Sequence, residues 1–187
     1  MILSDRDILK EINSNNIVIT PPIDPEDLSP CTLDVHLGTK IFKFKQYPAA
    51  ARLHIILKSP DLATSLSDLC DTFDISHRRY VLEPNEFVLA YTKEKLKLPP
   101  RIAARIEGRS TNARYGLAIH NTAPIIHPTF HAPIMLEMCN VGTCDLELSA
   151  GDSIGQLIFE RVESDPLRSL VSAWQGQKKN LKPGAKK

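Results

Sequence analysis

The stretch Pro133-Ile134-Met135-Leu136-Glu137-Met138-Cys139-Asn140 alternates without a break, with Ile134, Leu136 and Met138 on one face of an extended chain and Met135, Glu137 and Cys139 on the other. A helix would scatter both sets around its circumference, so the run predicts a β-strand with one core face. Short apolar stretches recur on both sides of it, separated by Pro, Asn or Gly: residues 17–19, 33–37 ahead of Gly38, 40–44, 87–92, 102–106, 146–148 and 154–159. Fourteen prolines against eight glycines supply the punctuation. Eight or more short strands predict a sandwich or barrel.

Helical signals are few. Ser4 precedes Asp5, Arg6 and Asp7, and Ile8, Leu9 and Ile12 follow at helical spacing. This predicts a capped N-terminal helix of about ten residues, the longest in the chain. Within residues 59–76 the spacing of Leu62, Leu66 and Leu69 fits a short helix inserted between strands. After Val162 the periodicity fades into a polar, basic end, and no internal repeat is visible.

A chain of 187 residues and 20.9 kDa is one domain, or one domain with an appendage, and buries roughly 70% of its unfolded surface. With 42% hydrophobic and 24% charged residues, disordered, collagenous and coiled-coil chains are excluded. Lys and Arg number 23 against 22 acidic residues, so no global field draws the protein to nucleic acid or to an anionic membrane, and neither is an expected partner. No apolar run approaches the roughly 20 residues of a membrane span, and the N-terminus lacks signal-peptide regions. The expected address is the cytoplasm. Cys31, Cys70, Cys139 and Cys144 form no CxxC pair and no zinc signature, and are expected to be reduced thiols.

Three segments carry residue types suited to chemistry. In Ile106-Glu107-Gly108-Arg109-Ser110-Thr111-Asn112-Ala113-Arg114-Tyr115-Gly116, Gly108 ends a strand and Ser110 is a good N-cap. A helical turn starting there aims the Thr111 and Asn112 amides outward as a phosphate site. Arg109 and Arg114 bracket it with guanidiniums that match phosphate oxygens bidentately. The alternative is a surface turn with two solvated arginines. Glu137 is the odd residue in its strand: a desolvated carboxylate there is raised toward the proton-shuttling range, whereas a solvated or Arg-paired one is structural. Between them, residues 120–130 form a Pro-bounded loop with His120 and His127, on a scaffold where ligands are commonly met.

These segments, in this order, resemble the dCTP deaminase family of the trimeric dUTPase superfamily. The resemblance spans residues 1–162. It adds Asp5-Arg6-Asp7-Ile8, Thr32-Leu33-Asp34-Val35-His36-Leu37-Gly38, Thr122-Ala123 and Ile154-Gly155-Gln156-Leu157-Ile158-Phe159 to the Gly108–Arg114 block and Leu136-Glu137.

The resemblance implies a mainly β fold, a distorted β-barrel or jelly-roll of the dUTPase-like, β-clip type, with a short N-terminal helix and small inserted helices. It implies a nucleotide-binding domain over 1–162, a tail over 163–187 closing over the active site, and a homotrimer with sites between subunits. Arg109, Ser110, Thr111, Asn112, Ala113 and Arg114 would grip a triphosphate, with Ser110 and Arg114 also near the reacting base. Gln156 would contact phosphate and Glu137 would be the general acid/base. Met135 and Leu136 would offer backbone groups to the base edge, and Thr122 and Ala123 would position the attacking water. Magnesium would travel with the triphosphate, and no zinc is involved.

The implied reaction is hydrolytic deamination of dCTP to dUTP and ammonia, in pyrimidine deoxynucleotide metabolism. The alternatives are a dUTP diphosphatase, a bifunctional enzyme forming dUMP, and a non-catalytic nucleotide-sensing trimer. The chain departs from the family pattern at His127, where many members carry an acidic residue for the sugar hydroxyl, and at Thr129 in place of Gly. In the tail, Ala173-Trp174 and Gln177 stand where a Lys-Tyr and Gln are expected, which either weakens triphosphate affinity or moves the lysine role to Lys178 or Lys179.

Overall fold

The computed structural model describes residues 1–51 and 66–167. Helix α1 (Asp5–Asn13) begins as expected: the Ser4 hydroxyl accepts from the Asp7 amide at 3.3 Å, and Asp5 and Asp7 place negative charge in the first turn. Ile8 of this helix is fully buried, and Asn15, at φ 56°, turns the chain out of it.

Strands β1 (Val18–Thr20), β2 (Leu28–Ser29) and β3 (Thr32–Phe44) follow, then α2 (Leu66–Leu69), β4 (Cys70–Asp74), β5 (Tyr80–Leu82), β6 (Phe87–Lys97) and β7 (Ile102–Gly108). The turn helix α3 (Ser110–Ala113) leads to β8 (Leu117–Ala118), β9 (Ile125–Ile126), β10 (His131–Asn140), β11 (Leu146–Leu148) and β12 (Ser153–Arg161). Each strand pairing is antiparallel, and ten of the twelve strands form one sheet whose main path runs β8-β10-β6-β3-β12-β7-β9.

β3 curls that sheet. Its first half pairs with β12 (Leu33 with Leu157, Asp34 with Gln156), and its second half pairs with β6 and β4 (Ile41 with Ala90 and with Phe73). Two separate strands on either side of Gly38 were expected here, yet β3 runs through it. A Cβ at Gly38 would lie 2.7 Å from the Tyr91 carbonyl oxygen, so the glycine permits close approach of β6, where the register shifts, and does not end the strand. The inserted helix predicted from Leu62, Leu66 and Leu69 is the single turn Leu66–Leu69, which gives way at once to β4; Leu62 lies outside the described residues.

The core lies inside the curl. Leu33, Val35, Leu37, Ile41, Val88, Ala90, Leu136, Met138 and Phe159 are all buried at 0% exposure. The alternation in residues 133–140 is realised as read: Ile134, Leu136 and Met138 enter this core, and Met135, Glu137 and Cys139 lie on the half-buried opposite face. The architecture is therefore the expected mainly β, curled one, with short helices at its margins.

A buried carboxylate ties α1 to the sheet. Glu11 receives the Asn16 side-chain amide at 2.7 Å and the Arg161 guanidinium of β12 at 2.7 Å. Burial alone would push its pKa up, but these two donors hold it below the ordinary glutamate value. Among the described residues no helix is long and apolar enough to cross a membrane. The four cysteines are free thiols.

Candidate active site

Two clusters hold the residues singled out by sequence. The first is the turn after β7. Ser110 was expected to cap it, but the helix begins one residue earlier: Arg109 is the N-cap, with extended φ and ψ of −78° and 133°, and no side chain caps the turn. The Ala113 amide bonds the Arg109 carbonyl at 2.9 Å, and the Arg114 amide bonds that of Ser110 at 3.2 Å. The amides of Ser110, Thr111 and Asn112 precede the first intrahelical bond and therefore have no helical acceptor. Ser110 is thus the first helical residue, and it is exposed.

The turn is braced from below by side chains. Arg109 Nη2 lies 3.0 Å from Asp34 Oδ2, and Ser153 Oγ donates to the same oxygen at 3.2 Å. The Ser153 carbonyl accepts from Asn112 Nδ2 at 3.0 Å and from Arg109 Nη1 at 3.5 Å. Gln156 Nε2 donates to the Gly108 carbonyl at 3.2 Å. Register explains the arrangement: Gln156 of β12 faces Asp34 of β3 on one side and Glu107 of β7 on the other. Arg109, Asn112 and Gln156 are therefore already engaged with the chain, whereas Arg114 is exposed and has no ion-pair partner among the described residues.

Asp34 and Ser153 are the parts that sequence reasoning left without a role. The signal was the Asp of Thr32-Leu33-Asp34, alternating out of an otherwise apolar strand. The end of the turn is fixed by a backbone crossing. Gly116 has φ 93°, its carbonyl accepts from the Val141 amide at 2.8 Å, and a Cβ on it would come within 2.4 Å of the Gly142 nitrogen.

The second cluster surrounds Glu137 on β10. The Ile119 carbonyl accepts from the Glu137 amide at 3.0 Å, and the Asn121 amide donates to Glu137 Oε2 at 3.0 Å. The segment 119–121 thus clasps both the backbone and the carboxylate, and places exposed Thr122 and Ala123 next in the chain after the Asn121 donor. The sequence left Glu137 either desolvated within an apolar strand or structural on a solvated or Arg-paired face. The structure puts it on the half-buried face, because the alternation that buries Leu136 turns its neighbour outward, so one chain desolvates it only in part. Met135 shares that face, opposite Tyr91, while the Leu136 side chain is in the core and only its backbone can serve a ligand.

His120 reaches Glu107 Oε2 with Nε2 at 3.4 Å, and its buried Nδ1 has no hydrogen-bond partner among the described residues. His127 is exposed at the start of a tight turn closed by the Phe130 amide on its carbonyl at 3.3 Å. Thr129 in that turn has φ 66°, the left-handed region where a glycine costs least.

Among the described residues, no hydrogen bond or ion pair joins Glu137 to Ser110 or Arg114. No three His, Cys, Asp or Glu side chains among the described residues gather in a metal-binding arrangement. Trp174 and Gln177 lie outside the described residues.

The chain is 34% identical over 180 residues to a dCTP deaminase of Natronomonas pharaonis, covering 95% of this chain and 89% of the relative. It is 38% identical over 181 residues to a dUMP-forming dCTP deaminase of Nocardioides, again covering 95% and 89%. Among solved structures, the 2′-deoxycytidine 5′-triphosphate deaminase of Agrobacterium tumefaciens superposes with a TM-score of 0.66 at 21% identity. That match covers 86% of this chain but 47% of the other, so the chain spans about half the length of that protein and the likeness speaks for the fold. A family model for dCTP deaminase-like proteins matches residues 2–162, which takes in α1, the braced turn, the Glu137 strand and Gln156. The chain belongs to the dCTP deaminase-like family.

Proposed function

We propose that this protein hydrolytically deaminates dCTP, as a homotrimer with its sites between subunits. The observation that carries this reading is the holding of Glu137: a carboxylate on a half-buried sheet face, gripped by the Asn121 amide, with the Thr122–Ala123 loop beside it. A water seated by that loop gives a proton to Glu137 as its oxygen attacks C4 of cytosine. Glu137 returns that proton to the ring nitrogen, the proton of the new C4 hydroxyl passes to the amino group, the C4–N bond breaks to release ammonia, and C4 becomes a carbonyl. The oxygen of water replaces the departing nitrogen.

The braced turn supplies the triphosphate site. Arg114 and the Ser110 hydroxyl are free to reach the ligand, while Asp34 and Ser153 hold Arg109 and Asn112 in place. Magnesium arrives bound to the triphosphate. At the subunit interface the turn of one copy meets the Glu137 strand of the next. His127 takes the sugar-facing position, and Trp174 and Gln177 of the tail cover the nucleotide.

A second reading has specific support: relatives 38% and 37% identical over 95% of this chain are dUMP-forming dCTP deaminases. On that reading a second water attacks phosphorus and releases pyrophosphate. Chromatography of products from dCTP separates the possibilities. Accumulating dUTP with ammonia identifies the deaminase, and dUMP with pyrophosphate the bifunctional enzyme. Nucleotide binding without either product overturns both and leaves a nucleotide sensor. Light scattering tests the assembly, and a fully active monomer overturns the shared site.

A further inference from the structure

A second concentration of positive charge lies on the outward face of the sheet, the face that carries Met135 and Glu137 further along β10. Along β6, Lys93, Lys95 and Lys97 project to one side while Thr92, Glu94 and Leu96 are buried beneath them. Across the ladder Lys97 meets His131 and Val18, and Lys95 meets Pro133 and Thr20, so no carboxylate faces either lysine from a neighbouring strand. None of the three has an ion-pair partner among the described residues. Like charges in this arrangement repel, and a bound anion would relieve that repulsion.

Lys93, Lys95 and Lys40 rim a cavity of about 830 Å³ that is floored by Tyr91, Pro133 and Ala150 and has no Asp or Glu in its lining. Of the three, Lys40 alone has acidic company, facing Asp74 across β4. His131 also opens onto the cavity. Burial and the nearby Lys95 and Lys97 hold its imidazole below the ordinary value. Burial pushes the Tyr91 phenol up, which leaves it a neutral aromatic wall. None of Ser110, Arg114, Glu137 or Gln156 lines this cavity. The chain's own remaining segments, 52–65 and 168–187, carry Lys and Arg in excess of acidic residues and match the rim poorly in charge.

We propose that this cavity binds an organic polyanion of the nucleoside triphosphate class, with its phosphates on Lys93 and Lys95 and its apolar body against Tyr91 and Pro133. The site is separate from the turn at Arg109–Arg114 and does not rest on the deaminase reading. Isothermal titration of ATP, and separately of inorganic tripolyphosphate, into the Arg114→Ala protein and the triple variant with Lys93→Ala and Lys95→Ala added, tests it.

ATP binding is expected to persist in Arg114→Ala and to weaken about tenfold or more when the two lysines are removed, since two charge-assisted contacts are lost. Tripolyphosphate should bind more weakly than ATP, because it leaves the apolar floor unused. The proposal is overturned if Arg114→Ala abolishes ATP binding, as when a neighbouring subunit covers the cavity. It is overturned equally if the lysine substitutions leave binding unchanged or if tripolyphosphate binds as well as ATP. With no ligand, Lys93→Ala/Lys95→Ala should unfold at the same temperature as the parent or higher, and a lower one contradicts the repulsion on which the argument stands.

Discussion

The turn after β7 and the Glu137 strand are built in opposite ways. The turn at Gly108–Arg114 is held by side chains: Asp34, Ser153, Asn112, Arg109 and Gln156 all spend hydrogen bonds on keeping it in place. Glu137 is held by backbone, through the Ile119 carbonyl and the Asn121 amide. A turn with three unpaired amides and no hydroxyl cap has little stability of its own and needs outside bracing. A central strand paired on both sides needs none. Function and structure are therefore separable at Glu137, and at the turn they are separable only for the residues that point away from the brace.

The largest expected effect is Glu137→Gln, which should lower dCTP deamination by about 10²-fold or more, the usual scale for losing a general acid/base. Unfolding should stay within a few degrees of the parent, because the clasp on the backbone survives. Steady-state kinetics and calorimetry read the two sides, and activity within a few fold of the parent removes Glu137 from the chemistry.

Next is Arg114→Ala. Its side chain is exposed and unpaired among the described residues, so turnover of dCTP should fall by about ten- to a hundredfold while stability is unchanged. If the variant instead loses stability comparable to a core substitution, Arg114 belongs to the brace and the contrast within the turn is wrong.

Asp34→Ala should do both kinds of damage, modestly. It removes the acceptor shared by Arg109 and Ser153, and the expected cost is about 1 to 2 kcal/mol, the lower part of the range for a pair with one partner a third exposed. For a domain of this size that is about 3 to 6 °C in unfolding temperature. KM for dCTP should rise with kcat little changed, and Asp34→Asn, which keeps an acceptor, should recover part of the loss. Unchanged KM and stability would show that the turn holds itself.

The smallest effect serves as a reference outside both clusters. Glu11, clamped by Asn16 and Arg161, has a folded pKa below its ordinary value of 4.5. It therefore adds stability that is complete above about pH 4.5 and is lost as pH falls through the lower folded value. Glu11→Gln should flatten the acid limb of the stability profile below pH 4.5 and leave deamination at neutral pH alone. Acid titration followed by circular dichroism checks the slope, and an unaltered limb denies the clamp its role.

Much of this was legible in one dimension. Alternation in residues 133–140 named the core face of β10 residue by residue, because the two-residue period of a strand leaves no freedom once one side is buried. The Ser4 cap and the apolar spacing after it located α1, since capping is a local interaction between a side chain and an amide three residues on. The strands β2, β4, β5, β8 and β9 were not foreseen. They are two to five residues long, too short to show a period, and exist because a neighbour offers a free edge.

By itself the sequence determined the class of the fold, the outward placement of Glu137 and the family resemblance of the Gly108–Arg114 block, all of which depend on residues close together in the chain. Tertiary structure decided what Gly38 is for, which residue caps the turn, and who holds Arg109. Those answers rest on Tyr91, Asp34 and Ser153, which lie far away in sequence and become neighbours only when β3 pairs with β6 on one side and β12 on the other. Register between distant strands is a property of the assembled sheet, and no local period encodes it.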